Sequence, residues 1–158
     1  MSLSIDPAHH SDAALILEFI RKLAAYEKLS HEVVATEDGL VRWLFGRNAV
    51  AEAIIARWHG RPVGFAIFFT TFSTFNGCPG LYLEDVFVDP EHRGKGIGKG
   101  ILRHLAQITV TRGYRRLEWS VLNWNEPSIR FYESLGAKPK DDWTVYRLDG
   151  DALAQLAE

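Results

Sequence analysis

Apolar residues along the chain follow two periods, and the changes of period outline the predicted elements. Apolar residues three and four apart indicate amphipathic helices, because that spacing places them on one helical face. The predicted helices cover residues 12–26, 36–45, 97–112, 128–135 and 151–158. Runs rich in β-branched and aromatic residues indicate strands. The predicted strands cover residues 3–5, 50–58, 62–72, 81–88, 117–122 and 143–148.

Turn residues between these runs predict how the elements connect. His59-Gly60-Arg61 separates two strand-like runs and predicts a hairpin, so the early strands are antiparallel. A helix separates strands 81–88 and 117–122, which makes them parallel neighbours in a right-handed crossover. The order predicts a mixed α/β sheet (α+β in character) with helices on both faces and a splayed opening between the parallel strands. A ligand is expected at the carboxyl ends of those strands.

Composition limits the classes of function. The 158 residues, 47% of them apolar, predict a single domain over residues 1–158 with a sizeable core. The chain has eighteen basic and twenty acidic residues, so it lacks the net positive charge that attracts nucleic acid. No nucleic-acid partner is predicted. No apolar run has the length of a membrane span, and the N-terminus does not resemble a signal peptide. With Cys78 as the sole cysteine, the protein is expected to be cytoplasmic and without an intrachain disulfide.

The stretch LYLEDVFVDPEHRGKGIGKG, residues 81–100, carries the clearest chemical signal. Three glycines alternate ahead of a helix, and such a loop can direct backbone amides at an anion near the positive helix end. A P-loop requires Ser or Thr where Gly100 stands, and a dinucleotide fingerprint requires glycine where Lys99 stands. Arg93-Gly94-Lys95-Gly96-Ile97-Gly98 therefore predicts a diphosphate-binding loop of another kind.

That hexapeptide resembles the pyrophosphate loop of the GCN5-related N-acetyltransferase (GNAT) family. Further segments resemble its diamine (spermidine/spermine) and thialysine acetyltransferase branch, and together they span nearly the whole chain. These segments are Tyr26-Glu27-Lys28-Leu29-Ser30, LYLEDVFV at residues 81–88, Trp124-Asn125-Glu126-Pro127-Ser128-Ile129, Phe131-Tyr132 and Leu135-Gly136-Ala137. The chain departs from the family pattern at His92, where tyrosine is usual, and in a shorter connection between Gly136 and Trp143.

The resemblance implies the GNAT fold, acetyl-CoA as co-substrate, a primary amine as acceptor, and a homodimer whose subunits both contribute to the acceptor site. Backbone groups of Val86, Phe87 and Val88 would pair with the pantetheine arm. The pyrophosphate would lie on the backbone amides of Arg93, Gly94, Lys95, Gly96, Ile97, Gly98 and Lys99. Asn125 and Ser128 lie where the family also contacts coenzyme A, and Tyr132 lies where a phenol approaches the thioester sulfur.

The chemistry of acetyl transfer is consistent with these roles. An alkylammonium has a pKa of about 10.4 and must lose a proton before it attacks, so Glu84 is the candidate base. An amide of Val86 or Phe87 can stabilise the oxyanion, and Tyr132 can protonate the departing thiolate. The candidates for an acidic acceptor site are Glu27, Glu84, Asp85, Asp141 and Asp142, with Tyr26 as a further substrate-binding residue.

Several alternatives remain open from the sequence. The acceptor is either a small polyamine-like molecule or a lysine-like or thialysine-like one. Residues 26–30 and 121–125 favour thialysine, whereas residues 126–129 favour a diamine. A protein or peptide amine is a second possible acceptor. A non-catalytic acyl-CoA-binding sensor is a third interpretation. The scattered histidines lack ligand spacing, so no metal site is predicted.

Overall fold

The computed structural model describes residues 2–158, which form two compact units, residues 2–120 and residues 121–158. A five-stranded sheet lies in the first unit. Its strands are β1 (Leu3–Pro7), β2 (Glu52–Trp58), β3 (Arg61–Ser73), β4 (Cys78–Val88) and β5 (Leu117–Trp119). They lie side by side in chain order; β1 to β4 are antiparallel, and β4 and β5 are parallel. This arrangement confirms the predicted mixed sheet and its parallel pair.

Five α-helices accompany the sheet in the part of the chain that the structure describes. They are α1 (Ala13–Tyr26), α2 (Glu37–Leu40) and α3 (Ile97–Thr111) in the first unit, and α4 (Glu126–Ser134) and α5 (Gly150–Leu156) in the second. Gly113 follows α3 with φ 77°, the left-handed conformation predicted for a helix end. None of the helices within residues 2–158 has both the length and the apolar character of a membrane span.

Helix α1 covers one face of the sheet with the apolar stripe predicted for it. Ile16, Phe19 and Leu23 are buried, and the Phe19 ring stacks on Phe65 with 5.5 Å between centroids and 8° between planes. Phe19 also meets Phe87 at 6.2 Å. Burial of such aromatic rings stabilises the unit, since each removes well over 100 Å² of apolar surface from water. The α1 face therefore holds strands β3 and β4 in place.

Helix α3 lies against the opposite face. A Cβ atom added at Gly100 would come within 2.8 Å of the Leu3 side chain and 3.8 Å of Ile5. Ile5 pairs with Ala56, and Ala56 pairs with Gly64. Because side chains alternate along a strand, this row faces away from Phe65 and α1. Helices on both faces of the sheet are thus confirmed.

Among the boundaries that differ from prediction, three concern backbone hydrogen bonding. The loop predicted at residues 73–80 is shorter, because Ser73 and Cys78 still pair and extend β3 and β4. Strand β5 ends at Trp119 rather than residue 122. The second predicted helix begins as expected, with the Thr36 hydroxyl accepting from the Gly39 amide at 3.1 Å, but continues from Val41 to Phe45 as a wider π turn.

The strand predicted at residues 143–148 was wrong. The segment has no regular secondary structure, and Trp143, Val145 and Tyr146 are 75%, 86% and 92% exposed. A run of strand-forming residues becomes a strand only when a neighbouring backbone supplies the hydrogen bonds, and sequence alone does not show that neighbour.

Candidate functional site

Strand β4 carries a bulge at Glu84, and the bulge sets the direction of the residues after it. Asp85 pairs with Ile67 of β3 and Leu83 pairs with Phe68, so Glu84 is the extra residue on β4. An extra residue reverses which face the following side chains occupy. Asp85 and Phe87 therefore lie on the face opposite Leu83, whereas strict alternation along the strand would place all three side chains on one face.

This reversal directs Asp85 to the face that α1 covers. Ile67, its partner on β3, is buried in the cluster that includes Phe19 and Phe87. Helix α1 ends at Tyr26, and Glu27 follows directly, with its amide donating to the Leu23 carbonyl at 2.9 Å. The end of α1 and the bulge of β4 thus bring Tyr26, Glu27, Glu84 and Asp85 to one region of the first unit.

The negative charges of Glu27 and Glu84 act on the carboxyl group of Asp85. Burial is the largest cause that raises the pKa of Asp85 to about 6, and the charges of Glu84 and Glu27 contribute to the same rise. Burial raises the pKa of Glu27. Glu84 is exposed on the strand. A cation bound beside Asp85 would offset the repulsion from these two charges.

The parallel strands separate just before these residues. The β4–β5 ladder has three pairs, Leu81 with Leu117, Tyr82 with Glu118 and Leu83 with Trp119. Beyond Leu83, β4 continues to Val88 with β3 as its ladder partner among residues 2–120. The edge of residues 84–88 that faces β5 is therefore available to an extended ligand, which can add to a strand edge through backbone hydrogen bonds. This is the splayed opening that the sequence predicts.

A glycine loop leads from β4 into α3. Gly94 and Gly96 have φ angles of 78° and 80°, and a Cβ atom at either would meet nothing within 4 Å. Gly96 occupies the N-cap position and α3 begins at Ile97. The first amides of a helix lack intrahelical partners and carry partial positive charge. The loop has the open surface and the donors that a diphosphate requires, so this chain fits the diphosphate of coenzyme A.

The conformation of Gly96 gives a direct test of the loop. Gly96→Ala is expected to lower the free energy of unfolding by about 1 to 2 kcal/mol, because an L residue is strained at φ 80°. Urea denaturation measures this change. Gly96→Asn should lose less, since asparagine tolerates the left-handed region. Equal stability of wild type and Gly96→Ala would show that the loop does not hold this conformation.

The two basic side chains of the loop lie against different elements. Arg93 Nε donates to the Val88 carbonyl at 3.1 Å, and its guanidinium carbon lies 5.0 Å from the Tyr26 ring centroid and 5.7 Å from that of Phe87. Lys95 Nζ lies 5.7 Å from the ring centroid of Trp58 on β2. None of these three aromatic partners was predicted from the sequence, since the local pattern does not show which ring a loop side chain will contact.

The other predicted site residues belong to the second unit. Asn125 is buried, and its side chain accepts from the Ser128 amide at 3.4 Å at the start of α4. Asn125 therefore caps α4, a role that was not predicted from the sequence. Asparagine before Glu126-Pro127 is nevertheless a recognisable signal for the start of a helix. Tyr132 is half-buried on α4, with its ring 5.6 Å from that of Phe131. Asp141 is exposed in the irregular segment after α4.

Known proteins resemble this chain in sequence and in fold. Residues 17–137 match the model of the acetyltransferase (GNAT) family. The chain is 34% identical to the thialysine N-epsilon-acetyltransferase of Mus musculus, over 99% of this chain and 98% of that protein. It is 29% identical to the L-ornithine N5-acetyltransferase NATA1 of Arabidopsis thaliana, over 92% and 84%. A solved integron cassette protein from the mobile metagenome of V. cholerae superimposes with a TM-score of 0.84 at 29% identity, over 100% of this chain and 99% of that one.

Proposed function

The chain belongs to the acetyltransferase (GNAT) family, and from that premise we propose that it transfers an acetyl group from acetyl-CoA to the primary amine of a small molecule. The acceptor is polyamine-like or lysine-like, and the names of the similar thialysine and ornithine acetyltransferases favour an amino acid with a terminal side-chain amine. Transfer proceeds by direct attack, with both substrates bound together. The proposed location is the cytoplasm, an inference from the sequence alone.

One observation carries the choice of a cationic small amine. Glu27, Glu84 and Asp85 are close enough for the charges of the first two to raise the pKa of Asp85. Glu84 and Asp85 belong to the part of β4 that continues beyond its ladder with β5. An alkylammonium arriving there relieves the repulsion among the carboxylates, whereas a neutral amine does not.

The residues of the chain then have distinct tasks. Acetyl-CoA, when bound, supplies an activated thioester. Glu84 accepts a proton from the ammonium, directly or through water, so that the nitrogen lone pair can attack the carbonyl carbon. An amide of Val86 or Phe87 donates to the carbonyl oxygen as negative charge develops on it. The carbon–sulfur bond breaks, and Tyr132 gives its phenolic proton to the sulfur, a role that rests on the family resemblance. The nitrogen loses its second proton as the amide forms, and that proton restores the phenol of Tyr132 through solvent, while Glu84 releases the first proton to water.

Measurement of thiol release from acetyl-CoA tests the function. The purified protein is assayed with thialysine, lysine, ornithine, spermidine, a short diamine and a peptide amine. Turnover on small cationic amines and not on the peptide is the expected result. Turnover on the peptide alone would favour a protein acceptor. Binding of coenzyme A without turnover on any amine would favour a non-catalytic sensor.

We further propose that the protein is a homodimer. Residues 143–148 present the apolar side chains of Trp143, Val145 and Tyr146 to solvent. The family resemblance implies a homodimer, and we propose that a second copy of the chain covers this segment. Light scattering at micromolar concentration is expected to give twice the chain mass of 17.9 kDa.

A charged substitution tests the role of the segment in that assembly. Val145→Asp should increase the monomer fraction, because burying an unpaired carboxylate is costly. Val110→Asp is the matched control, since Val110 is 75% exposed on α3. A wild-type mass of one chain would contradict the dimer, and equal dissociation of both variants would contradict the assignment of residues 143–148.

A further inference from the structure

We infer that Arg93 is a positioning residue that links the glycine loop to the amine site through the ring of Tyr26. The inference rests on the proposed function and deepens it. The family resemblance uses only the backbone amide of this residue. The side chain instead contacts the end of β4 and the ring of Tyr26, and these contacts suggest a second role for the residue.

The geometry of Arg93 connects three elements. Its backbone lies in the loop between β4 and α3. Its side chain folds back, so that Nε donates to the last carbonyl of β4, on Val88, at 3.1 Å. The guanidinium carbon is then 5.0 Å from the centroid of the Tyr26 ring and 5.7 Å from that of Phe87. A guanidinium near two aromatic rings is held by cation–π attraction and by stacking.

Tyr26 passes this constraint to the carboxylates. It is the last residue of α1, and Glu27 follows it directly. The charge of Glu27 in turn reaches Asp85. A ligand that fixes the backbone of residues 93–98 thereby restricts Arg93, and Arg93 restricts the end of α1 where the amine is proposed to bind. Occupation of the loop should therefore favour binding of the amine.

Lys95 shows that this arrangement is specific to Arg93. Both residues place a cation on the same loop, but Lys95 Nζ lies 5.7 Å from the ring centroid of Trp58 on β2. An effect of loop charge alone would be shared by the two residues. An effect transmitted through Tyr26 belongs to Arg93.

The test changes the shape of the side chain while keeping its charge. Arg93→Lys is expected to raise the KM for the amine about threefold, the scale of an exposed cation–π contact, while kcat and the KM for acetyl-CoA change less than twofold. Arg42→Lys, the matched control, makes the same exchange at a guanidinium 4.5 Å from the Trp43 ring centroid and should leave the KM for the amine unchanged. In a Tyr26→Leu background, Arg93→Lys should have no further effect, whereas in Tyr26→Phe, which keeps the ring, the threefold effect should persist.

A binding experiment makes the result independent of turnover. Calorimetric titration of thialysine into each protein, with and without saturating coenzyme A, should show that coenzyme A strengthens thialysine binding in wild type and Arg42→Lys, and about threefold less in Arg93→Lys. Equal behaviour of Arg93→Lys and Arg42→Lys, or an Arg93 effect that survives Tyr26→Leu, would overturn the inference. Absence of wild-type turnover alone would count against the proposed function and not against this linkage.

Discussion

Tyr132→Phe is expected to lower kcat on the order of 100-fold, the usual scale for loss of a general acid. The variant removes one oxygen and keeps the ring, which lies 5.6 Å from Phe131 on α4. Without the phenolic proton, the sulfur must leave as an unprotected thiolate. The KM for acetyl-CoA should change little, because the phenol acts on charge that develops only during transfer.

Another phenol provides the control for this prediction. Tyr114 lies on the first unit, and its hydroxyl is 3.5 Å from that of Thr70. Tyr114→Phe removes the same atom from a residue with no proposed role and should leave kcat within twofold. Steady-state kinetics with saturating amine measure both variants. Full transfer by Tyr132→Phe would remove this residue from the mechanism.

The parts of the fold that depend on local signals could be predicted from the sequence. The stripe of Ile16, Phe19 and Leu23 is buried as expected, because a helix of period 3.6 places those positions on one face. Thr36 caps a helix and Gly113 ends one, since each requires only its own neighbours. The glycine loop before α3 is of the same kind, as its positive φ angles follow from local residue type.

The parts that depend on neighbouring strands could not be predicted. Alternation along residues 81–88 does not reveal that Glu84 is an extra residue, because the bulge is defined by the register against β3. The face of Asp85 and its elevated pKa follow from that register. The side chain of Arg93 likewise meets Tyr26, 67 positions earlier in the chain, only after α1 has packed on the sheet.

Asp85→Asn is expected to make the protein more stable and less active. The pKa of Asp85 rises from 3.8 to about 6, so the folded state binds this proton more tightly than the unfolded state. Ionised Asp85 therefore costs up to about 3 kcal/mol above pH 6, and that cost disappears as the pH falls from 6 towards 4. Asparagine is uncharged throughout. Urea denaturation should thus show a gain of about 1 to 3 kcal/mol at pH 8 that shrinks at lower pH.

The same substitution should weaken use of the amine. The Asp85 carboxylate is close enough to Glu27 and Glu84 for their charges to raise its pKa. It is proposed to bind the ammonium group, and such an interaction contributes about 1.5 to 3 kcal/mol. The kcat/KM for the amine should fall about 10- to 100-fold at pH 8, while coenzyme A affinity stays within twofold. In wild type, kcat/KM should fall as the pH drops through 6 and Asp85 takes up a proton.

Glu91→Gln removes an exposed carboxylate from the turn after β4, and it should change neither stability nor kcat/KM beyond the error of each measurement. A gain in stability with unchanged amine kinetics in Asp85→Asn would mean that the buried charge is not used by the acceptor. A loss of both stability and activity would mean that the carboxylate supports the fold, and the site would then need another reason for burying it. The gain in stability and the loss of activity have one physical cause. The ionised carboxylate of Asp85 destabilises the protein without substrate, and it stabilises the complex once a cation binds beside it.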